Sequence, residues 1–187
     1  MKNRDRIGAR LQRAAQGEMT FAELLAEFGW PSGVTLDAAT ALRLRDAWRL
    51  RYGAGLRPPF LGSEGCRFEW EAFGRGTVPF VERDAAVAAY SSQSGPVVVL
   101  TAEIIDGPQG ARFPAPPPIA AAQKTNRERR RAGGGLPQDM LIFPESLAWT
   151  FSTTHEWGWC GPYFAPFVRP PEPPRPPRTR SRNGSRR

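Results

Sequence analysis

A chain of 187 residues with 40 % hydrophobic side chains and six Trp has room and material for one core of ordinary size, which excludes wholesale disorder. The longest apolar run, residues 96–102, is far too short to span a bilayer, no apolar signal-peptide stretch follows the charged N-terminus, and two cysteines cannot build a disulfide scaffold, so a cytoplasmic protein is expected. The formal net charge of +8 sits in three segments (1–13, 124–131 and 169–187) that together carry +14, so the remaining body carries −6, the wrong sign for a domain with a basic nucleic-acid face.

Residues 1–19 read as a basic N-terminal arm. Thr20 followed by Glu23 matches a capping box, and Phe21, Leu24, Leu25 and Phe28 recur at helical spacing up to Gly29, a left-handed C-terminal cap. Residues 30–33 (WPSG) form a turn. Asp37 is the expected N-cap of a second helix whose Ala41, Leu44, Trp48 and Tyr52 share one face, with Arg43, Arg45, Arg49 and Arg51 largely on the others and Gly53 at its end. Both helices are amphipathic and need a partner surface, because isolated helices of this length are marginal in water.

After a Pro/Gly loop, Cys66, Phe68 and Trp70 alternate with Arg67, Glu69 and Glu71, the period-two signature of a strand with one wet face. Residues 84–90 are Ala-rich and helical. Residues 96–105 contain PVVVLTAEI, apolar on both faces, which predicts a central strand buried on two sides. Residues 107–135 hold a proline cluster, the KTNRERRR run and three glycines; they read as a Pro/Arg-rich insertion, with one exposed helix over 119–131. Residues 139–143 and 147–154 form two strands joined by Pro144-Glu145-Ser146 as an antiparallel hairpin. In the second of them Leu147, Trp149 and Phe151 point one way and Thr150, Ser152 and Thr154 the other, the mark of a half-buried strand. Residues 169–187 have nothing apolar to bury and read as a disordered Pro/Arg-rich tail.

The segment after that strand is the richest in chemistry. It holds the only His, His155, with Glu156, Trp157, Trp159, Cys160 and Tyr163. His155 as general base with Glu156 as partner is the one catalytic reading the chain offers. His155, Cys160 and Cys66 would make three zinc ligands, but a zincin helix needs a second His four residues on, where Trp159 stands. No metal and no cofactor are therefore expected. The structural reading is the stronger: polar side chains leaving a strand cap nearby backbone groups, and Gly161-Pro162 turns Tyr163 and Phe164 back onto the sheet. Trp157 and Trp159, two apart, project to one side of an extended chain, either as a lid on the core or, with Tyr163, as a partner-binding patch.

Trp149-Thr150-Phe151, Thr154-His155-Glu156 and Gly161-Pro162-Tyr163-Phe164 together resemble the closing signature of a family of small bacterial proteins known only as a domain of unknown function. The resemblance covers about residues 66–164. It implies an α+β domain in a bacterial cytoplasm and supplies no activity. By analogy with other small acidic α+β bacterial proteins, it points to an immunity or antitoxin type of role.

The sequence thus predicts a single α+β domain over 20–168, with N-terminal amphipathic helices packed on a mostly antiparallel sheet, the 107–135 insertion and the basic tail. The expected function is a non-enzymatic protein-binding module. The alternative is a nucleic-acid-associated protein that holds phosphates weakly and nonspecifically through Arg127, Arg129, Arg130, Arg131, Arg175, Arg178 and Arg180. No membrane partner is expected.

Overall fold

Strand β3 (Val97–Thr101) is buried at every position, which requires cover on both of its faces. The computed structural model supplies that cover; it describes residues 21–30, 32–53, 69–74, 78–101, 109–120, 139–154 and 160–167. In chain order the elements are α1 (Phe21–Glu27), β1 (Val34–Thr35), α2 (Ala38–Tyr52), α3 (Glu71–Gly74), β2 (Val81–Glu82), α4 (Arg83–Ser91), β3, β4 (Gln109–Phe113), β5 (Met140–Phe143), β6 (Trp149–Thr153) and β7 (Tyr163–Pro166). The seven strands form one sheet in the order β1-β4-β3-β5-β6-β7-β2, and every pairing is antiparallel. The protein is α+β.

The period-two alternation of the strands divides the core into two layers. On one face Val97, Val99, Ile142, Phe151 and Phe164 cluster with Phe21, Leu25 and Phe28 of α1 and its exit, and with Ala86 and Tyr90 of α4. On the other, Val98, Leu100, Leu141, Phe143 and Ala165 cluster with Ala41, Leu44, Trp48 and Tyr52 of α2 and with Ala72 and Phe73 of α3. The two N-terminal helices therefore clad opposite faces of the sheet.

Helix termini follow the sequence. Gly29 takes φ 74°, and the bonds Gly29 N–H to Ala26 C=O and Trp30 N–H to Leu25 C=O close α1 as a Schellman motif. Asp37 caps α2 by accepting the Thr40 N–H at 2.8 Å. That bond, and after it the Thr40 hydroxyl, holds the Asp37 carboxyl below its ordinary value of 3.8. A depressed carboxyl stabilises the fold above its unfolded value and ceases to do so as pH falls through the folded one. Asp37→Ala should accordingly melt earlier than the parent near neutral pH, with Asp37→Asn close to the parent. In acid below that range the Asp37→Ala deficit should shrink, which melts of the three proteins across the acid limb will show.

Four sequence expectations are corrected. Residues 109–113, assigned to the insertion, are strand β4, paired with β1 and β3. Gly110 hides the pattern and is needed there: a Cβ would lie 2.5 Å from Leu100 Cδ2 and 3.0 Å from Leu36 Cδ1. Trp70 and Glu71 continue no strand, because Glu69 and Trp70 turn into α3 through bonds from Ala72 N–H and Phe73 N–H; residues 66–68 lie outside the described set. Strand β6 is buried on both faces instead of half-buried, since α2 covers its hydroxyl face and the Trp48 indole donates to Thr150 Oγ1 at 2.8 Å. Leu147 does not share the Trp149 face: it turns at φ 55° and packs with the α2 side of the core.

Candidate functional site

The register puts the C-terminal ends of β3 and β6 beside the N-terminal ends of β4, β5 and β7: Thr101 opposite Gln109 and Met140, Met140 opposite Thr153, Ser152 opposite Tyr163. Buried polar residues gather at this end, namely Thr101, Asp139, Ser152, Thr153 and Thr154. Burying hydroxyls and carboxylates is costly unless each finds a partner. The Thr153 hydroxyl accepts the Met140 N–H at 3.1 Å, and the Thr154 hydroxyl donates to the Cys160 carbonyl at 3.1 Å with Cys160 Sγ 3.8 Å away. Hydroxyls leaving the strand cap backbone groups here.

Two carboxylates belong to the same region. Glu69, 5 % exposed, accepts from Arg49 Nε at 3.1 Å and also from Arg49 Nη2, while Asp139 Oδ2 accepts from the Trp70 indole at 3.2 Å. With Met140, Leu141 and Ser152 they line a shallow depression that is partly open to solvent and encloses no free volume, not even for a water molecule. Ligand pockets are deep clefts of about 300–1,000 Å³, and this is not one. Its acids fasten α3 to α2 and to the sheet. The expectation that Glu69 is a solvated acid on a wet face is corrected here: its partner stands twenty residues earlier, on another element.

The burial asymmetry of this pair gives a test. The Glu69 side chain is 6 % exposed and that of Arg49 27 %, so Arg49 can turn to water when its partner is lost and Glu69 cannot. Arg49→Met should cost about 2 kcal/mol by leaving a buried carboxylate without its counter-charge, and Glu69→Gln only about 1 kcal/mol. Urea denaturation of both variants reads the order; equal costs would contradict the burial argument.

His155, Glu156, Trp157 and Trp159 lie outside the described residues, as do Cys66, Arg127, Arg129, Arg130, Arg131, Arg175, Arg178 and Arg180. Cys160 is half-buried beside Thr154. Tyr163 is placed in the core, 4 % exposed, its ring stacked on Phe73 at 5.1 Å and edge-on to Phe80 at 5.3 Å. Burial, and after it the neighbouring Cys160, pushes its hydroxyl up to about 12. Among the described residues no three metal-ligating side chains come together, and no helix is long and apolar enough to cross a membrane.

A feature the sequence reading missed lies on the outside of α2. Leu42 and Leu50 are 43 % and 80 % exposed, and Asp46 stands between them at helical spacing. Arg43 and Arg51 flank them, exposed, with the Arg51 guanidinium over the Phe167 ring at 3.0 Å. Arg45 is partly covered, and its Nε is buried without a hydrogen-bond partner. Burial first, then the Arg49 charge, holds Arg45 below the ordinary arginine range. The missed signal was present: a helix with leucines at 42, 44 and 50 has more apolar positions than one buried face uses.

Comparison with family models, with curated proteins and with solved structures finds no match to this chain.

Proposed function

We propose that this chain is a non-enzymatic protein-binding module of a bacterial cytoplasm, of the immunity or antitoxin type. The observation that carries the reading is the outward face of α2. Single exposed leucines are ordinary on soluble proteins. Here Leu42 and Leu50 recur along a single helix whose opposite face, Ala41, Leu44, Trp48 and Tyr52, is already buried. The helix needs no second apolar face to hold the fold, so that face is available to a partner. The carboxylates and hydroxyls at the end of the sheet support the reading from the other side, since their hydrogen bonds hold the fold together.

The test is affinity capture with the tagged full chain from a nuclease-treated lysate of the source organism. A Leu42→Asp/Leu50→Asp double variant, shown by its melt to be folded, is run beside it. The expected result is a stoichiometric protein partner that survives nuclease and is lost with the variant. Complete loss of co-purifying material on nuclease treatment would instead favour attachment to nucleic acid through Arg127, Arg129, Arg130, Arg131 and the tail arginines.

A further inference from the structure

We propose that the outward face of α2 takes an acidic amphipathic segment of a partner protein, its carboxylates meeting Arg43, Arg45 and Arg51 and its apolar side chains covering Leu42 and Leu50. This rests on the protein-binding reading and adds the chemistry of the partner. The folded body is acidic as a whole, yet between residues 38 and 52 four arginines stand against Asp46 alone. Arg49 pairs with Glu69 and, at 3.9 Å, with Asp46, while Arg43 and Arg51 are exposed, Arg51 lying over the Phe167 ring, and Arg45 is partly covered. Glu69 and Asp46 are near enough to act on the charge of Arg45, so a carboxylate arriving beside the uncovered part of its guanidinium meets a charge that water screens less than at Arg43.

The pattern separates this occupant from three others. A second copy docked through the same face would set the arginines of one helix against those of the other, which like-charge contact disfavours. A nucleic-acid backbone or an anionic lipid surface would meet Asp46, 57 % exposed at the centre of the leucine stripe, head-on. A polypeptide can place a basic or neutral group opposite Asp46 while keeping its own acids over the arginines. Two leucines also offer little to a bilayer, but they suit the spaced apolar anchors of a helix laid along a helix.

The experiment uses the full chain and a fluorescent synthetic helical peptide with leucines at every third and fourth position, a central glutamine to face Asp46, and glutamates elsewhere. Beside it run a peptide of the same composition with the leucine stripe scrambled, a single-stranded oligonucleotide, and phosphatidylglycerol vesicles. The expected result is salt-sensitive binding of the striped peptide, weaker binding of the scrambled one, and a loss of about tenfold or more in Arg43→Glu/Leu50→Asp. Arg43 and Leu50 are exposed, so that variant should melt like the parent; should it not, Leu50→Asp alone carries the comparison. Equal binding of the striped peptide by parent and variant, or of both peptides by the parent, would place the attraction in arginines elsewhere and overturn this inference, leaving the protein-binding reading standing. Vesicle or oligonucleotide binding that falls in the variant while peptide binding does not would overturn both.

Discussion

Trp48→Ala is expected to destabilise the fold by about 4 kcal/mol, the range for removing a fully buried large aromatic from a core. Trp48 is wholly buried, packs against Tyr52 at 5.4 Å and Phe73 at 6.2 Å, and donates its indole N–H to Thr150 at 2.8 Å across the α2–sheet interface. The substitution opens a cavity beneath α2 and leaves a buried hydroxyl without its donor. Trp48→Phe keeps most of the ring and gives up the hydrogen bond, so it should cost about 1–2 kcal/mol. Urea denaturation with unchanged m-value reads both; a Trp48→Ala loss below about 1.5 kcal/mol would mean that α2 is not seated on the hydroxyl face of β6.

On the opposite face, Trp149→Ala should cost about 3 kcal/mol. Trp149 is 8 % exposed, stacked with Phe164 at 5.8 Å and edge-on to Tyr90 at 6.1 Å, so it ties β6 and β7 to α4. Tyr90 is anchored in turn, its hydroxyl donating to the Pro117 carbonyl at 2.7 Å. The cost falls below that of Trp48 because the site lies nearer the surface and can partly collapse. Loss of near-ultraviolet circular dichroism on mild heating of this variant, ahead of the far-ultraviolet signal, would locate the weakened layer.

What could be read in advance follows from how local each signal is. Helix α2 was legible because its buried set, Ala41, Leu44, Trp48 and Tyr52, keeps helical spacing between a capping Asp37 and a terminating Gly53. The β5–β6 hairpin was legible for the same reason, its Leu147 N–H closing a turn onto the Pro144 carbonyl at 2.8 Å. Strand β4 was not: Gly110 has no side chain to alternate, and the proline cluster after Phe113 reads as loop. The flat hydroxyl face of β6 looked wet because nothing nearby in sequence announces Trp48, 102 residues from Thr150. Trp30 is similar, read as part of a turn but buried, with its indole donating to the Pro118 carbonyl across 88 residues. Edge strands β1 and β2, two residues each, are too short for periodicity to register. The closing motif is legible as polar and aromatic. Its described members, Thr154, Cys160 and Tyr163, bind each other and the core, and the outward leucines and arginines of α2, which the sequence lists side by side, needed the seated face to be known before the free one could be seen.

The most direct test of a partner surface on α2 is site-specific photo-cross-linking in the source organism. A benzophenone amino acid replaces Leu50, 80 % exposed on that face, and in a second protein Val34, 70 % exposed on edge strand β1. A discrete protein adduct from position 50, absent from position 34 and suppressed by Arg43→Glu, is the result expected. Adducts of equal yield from both positions, or none from position 50 in folded, expressed protein, would contradict it.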